Sequence, residues 1–381
     1  MDTKNKRLLS LDAFRGLSMF AMLLVDYPGD WDNKYLPLIH ADWNGFKLAD
    51  LIFPSFIFIV GLAITFALAK HKERGDSHNS IMKLVLKRAV ILILLGLISN
   101  AFLDSEPIYD WHTLRLMGVL QRIAIVYVTC SFLYLKVNIK TLAWISGGIL
   151  LAYWAIITLI PVPGFGLPDI NIHPRDSIAN LAAWLDFNIL GSHIAEWNKP
   201  FDNEGILSTL PAIVSGIIGM LVGHFIKSKN EPATKTAWLF ITGGILLIIG
   251  YIWNLWLPIN KLLWSSSFVL YSAGWSIIIF AAFYWIIDVQ DYTKWSKPLQ
   301  IFGRNAILVF TAALCFQGAY WRIQIPFEGN ETAFRWALYM KVFRPLLDDP
   351  LKASLLYTFS VILFWYGVSV FLDKKKIYLR V

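Results

Sequence analysis

The sequence predicts an all-α protein: a polytopic transmembrane helix bundle of about ten spans, or eleven if one further segment crosses. Three observations predict it. Of 381 residues, 57% are hydrophobic and only 16% charged, and the mean hydropathy is +0.56, outside the range of a soluble domain. Apolar runs of bilayer length, roughly 20 residues per helix, recur from one end of the chain to the other. Basic residues gather in alternate connections, the pattern expected where Lys and Arg stay cytoplasmic. The net charge of +8 therefore reads as topology, and no nucleic-acid partner is expected.

The expected spans are 13–27, 47–69, 82–103, 116–136, 140–160, 205–226, 235–254, 266–287, 299–320 and 352–373. Lys4, Lys6 and Arg7 precede the first span, and Lys70, Lys72, Arg74, Lys83, Lys87 and Arg88 surround the second connection. Lys136, Lys140, Lys227, Lys229, Lys235, Lys294 and Lys297 mark later connections on the same side, and Lys374, Lys375, Lys376 and Arg380 close the chain. Both termini are thus expected in the cytoplasm. The opposite connections are richer in acids and aromatics. The longest, 161–204, holds Trp184, Phe187, Ile189 and Trp197 among several Pro and Gly and reads as an ordered outer cap. Residues 331–347 have apolar residues at helical spacing interrupted by Arg335, Lys341 and Arg344, so they read as an interfacial helix. One transmembrane domain, 1–381, accounts for the whole chain. No cleavage site follows the first apolar stretch, which reads as retained.

Ionisable groups inside spans cost roughly 2.5–3.5 kcal/mol each on insertion scales, so they normally face a protein interior or a wet cavity. In LDAFRGLSMFAMLLVDYPG, Arg15 and Asp26 are about three helical turns apart and share one face of the first helix. Snorkelling of each to the nearer headgroups is the simpler alternative. In YLPLIHADWNGFKLADLIFPSFIFIVG, His40 precedes a turn signalled by Asn44-Gly45, and Asp50 lies about one turn into the next span. An imidazole beside a carboxylate is the usual general base near neutral pH; Asp26, Asp42 and Asp50 are all within reach in principle. Trp43 suits either a headgroup belt or a sugar ring, with Asn44 beside it as a further polar contact for substrate. LRLMGVLQRIAIVY places Arg115 and Arg122 on one face with Gln121 adjacent, and Glu204 in FDNEGILSTLP is one acid that can pair with Arg122. A structural ion pair between helices is the alternative to a substrate site. IFGRNAILVF presents Arg304 and Asn305 at the cytoplasmic end of the ninth span.

Other chemistries lack their signatures. Cys130 and Cys315 each sit in an apolar run, indicating neither a disulfide framework nor a thiolate metal site. The remaining histidines show no paired ligand spacing, so no metal is expected, and no phosphate loop, dinucleotide fingerprint or serine nucleophile elbow is present.

Several of these stretches, RLLSLDAFRGLSMFAMLLVDYPG, HADWNGFKLADLIFPSFIFIVG, LRLMGVLQRIAIVY, FDNEGILSTLPAIVSGIIGMLVG and FGRNAILVF, resemble in order and spacing the heparan-α-glucosaminide N-acetyltransferase family. That family includes bacterial relatives linked to N-acetylglucosamine use and belongs to a wider group of transmembrane acyltransferases. The resemblance implies transfer of acetyl from cytoplasmic acetyl-CoA, as donor substrate, to the amine of glucosamine or a glucosamine-terminated oligosaccharide on the outer side. It implies that His40 is the catalytic histidine, acting as general base or acetyl carrier, and a homodimer as the assembly. It also implies a form of the bacterial inner membrane without the large luminal domain of animal members. Where the family usually has Asn, this chain has Asp26, which either helps polarise His40 or changes how substrate is held. A donor this anionic is expected to dock at the cytoplasmic mouth on Arg15, Lys87, Arg88 and Arg304, with Asn305 beside them. Trp43, Asn44, Asp50, Gln121, Arg122 and Glu204 are then expected toward the acceptor. An amino-sugar permease, or an acyltransferase for another acyl group or acceptor, fits the same polar interior.

Overall fold

The computed structural model describes residues 8–103, 110–195 and 199–379; Trp197 of the long connection and Lys4, Lys6, Arg7 and Arg380 lie outside them. Thirteen α-helices are present among the described residues. α1 (Leu9–Asp26), α2 (Ile52–Glu73), α3 (His78–Leu103), α4 (Val119–Lys136) and α5 (Ile139–Leu159) are followed by the short α6 (Leu181–Leu190). α7 (Thr209–Ile226), α8 (Pro232–Trp253) and α9 (Ser266–Phe283) come next, α9 continuing as a π-helix through Val289. α10 (Lys297–Arg304), α11 (Ala306–Arg322), α12 (Phe334–Leu338) and α13 (Pro350–Lys374) complete the bundle.

Every apolar run expected to span is helical. Among the described residues, seven helices are long and apolar enough to cross a membrane, or eight if α10 and α11 count as one broken span. α1 carries Asp12, Arg15 and Asp26, charges that it turns toward neighbouring helices and a cavity. Burial sorts the layers: 78% of the apolar stretch of α7 and 67% of that of α2 is buried, against 22% in α8. α2 and α7 therefore form the centre. α8 lies at the edge and exposes Trp238, Ile241, Ile245, Ile248 and Ile252, a face suited to lipid. The central pair approaches closely because a Cβ at Gly61 would strike the backbone of Gly216, and one at Gly219 the backbone of Phe58; small residues permit that packing where lipid supplies no hydrophobic drive between helices.

Two segments depart from expectation. The span expected at 299–320 is bent by 62° between α10 and α11. Asn305 leaves helical geometry at φ −116°, ψ 20°, and its buried side-chain amide has no partner among the described residues. The expected interfacial helix is also shorter than 331–347. Gln324–Phe327 (β1) and Asn330–Ala333 (β2) form an antiparallel hairpin, with Gln324 opposite Ala333; Glu328 and Gly329 turn it with positive φ. Arg335 does not reach for headgroups. It is 1% exposed, its guanidinium lies over Trp321 and Tyr357, and it donates to the carbonyls of Pro28 and Gly29.

Within the long connection, the described residues include α6. Asn180 caps α6 through Ala183 N–H, and Ala182, Ala183, Phe201 and Leu263 pack with Trp43 in a small core separate from the main one.

Candidate active site

A cavity of about 1480 Å³ lies within the bundle. On α2 its wall extends from Ile52 to Ala67, about 22 Å of helix at 1.5 Å per residue. At one mouth stand His40, Asp42, Asp50, Glu204 and Lys261; at the other stand Arg15, Arg88, Arg304 and Tyr378. The volume exceeds the roughly 300–1,000 Å³ of ordinary small-molecule sites and suits an elongated ligand.

The His40 mouth is built by two interlocked loops. Gly45, at φ +120°, turns the chain after Asn44, a conformation that L side chains rarely adopt. Its N–H donates to Ile259 O at 2.8 Å, and Asn44 Oδ1 accepts from Asn260 Nδ2 at 3.0 Å. Asn260 also fixes its own loop by accepting from Leu263 N–H through Oδ1 at 2.8 Å. Lys261 is thereby held over His40. Trp264, in left-handed geometry at φ 51°, folds back into the protein, where its indole donates to Ser215 at 3.2 Å and lies under the Arg122 guanidinium at 4.9 Å.

Asp50 orients the imidazole. Its Oδ1 is 2.8 Å from His40 Nδ1, and its Oδ2 accepts from Ala41 and Lys47 backbone N–H at 3.1 and 2.9 Å. A carboxylate only accepts, so Nδ1 carries a proton and Nε2 is the ring nitrogen that Asp50 leaves unengaged. The carboxylate is wholly buried while the His40 side chain is 41% exposed: the pair is anchored on one side and accessible on the other. Lys261 Nζ lies 3.1 Å from Nδ1, 3.5 Å from Nε2 and 3.7 Å from Asp50 Oδ1.

Of thirteen candidate site residues, eight line this cavity, Arg15, Asp26, His40, Asp50, Arg88, Gln121, Glu204 and Arg304, and so do Asp42 and Arg115, named in the sequence as their neighbours. Arg15 reaches Asp12 at 3.4 Å, Arg304 pairs with Asp373 at 2.9 Å, and Arg88 contacts the Tyr127 hydroxyl at 3.4 Å. Gln121 is 4% exposed, and neither atom of its side-chain amide has a partner among the described residues. Glu204 is held at the wall by Arg115 at 2.5 Å, and Arg115 in turn clasps Asp202 through two bonds of 2.8 and 2.7 Å.

The other five stand elsewhere. Trp43 donates to Ile170 O at 2.8 Å and packs on His173 and Phe201, so it fastens the long connection to the mouth. Asn44 braces the two loops. Arg122 sits behind the wall, fully buried, donating to Gly205 O and Ser208. Lys87 is exposed on α3 and does not line the cavity, and Asn305 occupies the break beside Arg304.

Lys261, Lys34 and Arg175 are cavity residues that the sequence reading missed. The signal for Lys261 was present: a lone cation between two apolar runs on the side poor in lysine. Lys34 donates to Val25 O at 2.9 Å; burial holds its ammonium below the ordinary value, with Asp26 opposing. Burial likewise lowers His173, and Arg175 adds to the effect. Beneath the mouth, burial pushes the Asp186 carboxyl up to about 7, although the backbone N–H groups of Ile206 and Asp202 oppose this.

A bundle of apolar helices of membrane-spanning length, with a set of charged and titratable side chains lining a cavity between them, is the class of an integral membrane protein with a polar interior. The catalytic-domain model of heparan-alpha-glucosaminide N-acetyltransferase matches residues 7–251, well over half of the chain, which therefore belongs to that family of transmembrane N-acetyltransferases. The human heparan-alpha-glucosaminide N-acetyltransferase is 28% identical over 374 residues, covering 86% of this chain and 55% of the human protein. The mouse protein of the same name is 26% identical over 428 residues, covering 98% of this chain and 60% of its own length. The chain thus spans little more than half the length of these relatives.

Proposed function

We propose that the protein moves acetyl from acetyl-CoA, bound at the Arg304 mouth on the cytoplasmic side, to the amine of a glucosamine-type sugar at the His40 mouth on the outer side. It would do so as a single domain of about ten spans in a bacterial inner membrane. The observation that carries this reading is the one cavity lined at opposite ends by His40 with Asp50 and by Arg15, Arg88 and Arg304. Three guanidinium groups suit an anionic nucleotide, and the long apolar passage suits a slender acyl-carrying arm.

At the other mouth, Nε2 is the only ring atom free to take a proton. In direct transfer the amine nitrogen bonds to the thioester carbon as His40 removes its proton; the C–S bond then breaks, and the imidazolium returns that proton to the sulfur. In transfer by way of the enzyme, Nε2 bonds to the acyl carbon, the C–S bond breaks and CoA leaves as the thiolate, which takes a proton from water; the amine then bonds to the acyl carbon as the C–Nε2 bond breaks, and the proton it loses passes to Nε2. Asp50 serves both routes by keeping the proton on Nδ1. Asp26 and Glu204 supply negative charge where the amino sugar would rest.

The test uses proteoliposomes, with labelled acetyl-CoA on the cytoplasmic face and glucosamine on the other. Covalent transfer that vanishes in His40→Ala supports the enzyme. One observation, the break between α10 and α11 beside the cavity, also suits a carrier; uptake of unmodified sugar, independent of acetyl-CoA, would establish that reading instead.

A further inference from the structure

We infer that the Lys261 ammonium is the group that binds the acyl oxygen when that oxygen becomes negative, so that the site pairs a base from one loop with an oxyanion donor from another. This rests on the acetyl-transfer reading above and adds a catalytic group to it.

Whichever route transfer takes, the acyl carbon becomes tetrahedral beside Nε2, and the carbonyl electron pair moves onto oxygen. When the C–S bond breaks, the pair returns to re-form the carbonyl. Something must face that charge, and a donor already in place contributes most. The usual donors at such a centre are backbone N–H groups. Two such groups beside the His40–Asp50 pair, those of Ala41 and Lys47, are committed to Asp50.

The cations at this mouth are also mostly committed. Arg115 is clasped by Asp202 and Glu204, and Lys34 donates to the Val25 carbonyl. Lys261 differs in position. Its Nζ is 3.5 Å from Nε2, so an acyl oxygen on a carbon at Nε2 falls within about one hydrogen-bond length of the ammonium. Its other contacts, Nδ1 at 3.1 Å and Asp50 at 3.7 Å, leave a donor available among three. Because Nδ1–H is spent on Asp50, proximity to that atom is not a hydrogen bond; it marks an ammonium held at the ring edge. The Asn44–Asn260 and Gly45–Ile259 bonds fix it there before substrate arrives, which is what an oxyanion site requires.

The experiment compares two probes by calorimetry on purified protein in detergent. One is the trifluoromethyl ketone analogue of acetyl-CoA, which hydrates to a tetrahedral centre. The other is S-propyl-CoA, which has no carbonyl. Wild type should bind the ketone about 10²-fold tighter than the thioether. Lys261→Met should bring that ratio close to one and leave thioether affinity unchanged, and Lys261→Arg should restore part of the ratio. Acetyl transfer by Lys261→Met should fall about 10²–10³-fold in kcat. A ratio preserved in Lys261→Met, or an equal loss of both probes, would overturn the inference in favour of a purely structural lysine. Failure of both probes to bind wild type would instead overturn the donor assignment on which it rests.

Discussion

Asp50 grips His40 Nδ1 at 2.8 Å with one carboxylate oxygen while its other oxygen holds the backbone of Ala41 and Lys47, so one side chain sets both the loop and the tautomer. Asp50→Asn retains a side chain of the same shape but replaces one acceptor with a donor. The expected outcome is a fall in kcat of about 10²-fold or more, with a smaller change in thermal stability. Acetyl transfer and a melting curve on the same preparation check it; a variant with full activity would remove Asp50 from the mechanism.

Asp26 lines the cavity near enough to His40, Lys261 and Lys34 for their charges to act on it. The family resemblance of the surrounding sequence implies Asn at this position. Asp26→Asn is therefore expected to keep substantial activity, within about tenfold of wild type, while changing KM for the amino sugar as one negative charge is removed. Complete inactivity of a well-folded Asp26→Asn protein would show that the carboxylate itself takes part in transfer.

At the opposite mouth, Arg88 and Arg304 face the cavity, whereas Lys87, one residue from Arg88, lies outside it. Arg88→Gln and Arg304→Gln should each raise KM for acetyl-CoA about 10- to 100-fold, the scale of a lost charged hydrogen bond at roughly 1.5–3 kcal/mol, with little change in kcat. Lys87→Gln should match wild type. Equal effects at 87 and 88 would mean that bulk surface charge, and not a defined site, attracts the donor.

Asp186 provides a pH dependence of stability with a definite sign. Its carboxyl titrates at about 7 in the folded protein against an ordinary 3.8, so folding favours the protonated form. The stability this supplies is complete below about pH 4 and is lost as pH rises through about 7. The melting temperature of wild type should thus fall between about pH 5 and pH 7.5, and Asp186→Asn should flatten that slope at a cost of about 1 kcal/mol for one poorly replaced backbone bond. A slope unchanged in the variant would assign the dependence to other groups.

The helices were legible because a run of bilayer length states its own structure. The break at Asn305 was not, since Arg-Asn inside an apolar run signals equally a charged anchor or a kink. The hairpin at 324–333 was readable in principle, with Glu328-Gly329 between short alternating stretches, but helical spacing beyond it dominated the reading. At the site, His40 and Asp50 lie ten positions apart, and local reasoning placed Asp50 among three carboxylates within reach, with Asp26 and Asp42; the fold selects Asp50. Lys261 lies 221 positions from His40, where only the folded chain makes them neighbours. The same limit explains Trp43 and Asn44: their chemistry was visible, but the loops they fasten were not.

That separation has a consequence for biogenesis. Helices enter a membrane in chain order, and contacts between distant segments form last. His40 and Asp50 can meet once the second helix is seated, yet the lysine arrives only with the turn after α8. A partly inserted chain would carry an imidazole without its cation, and its chemistry would stay silent until the bundle had closed.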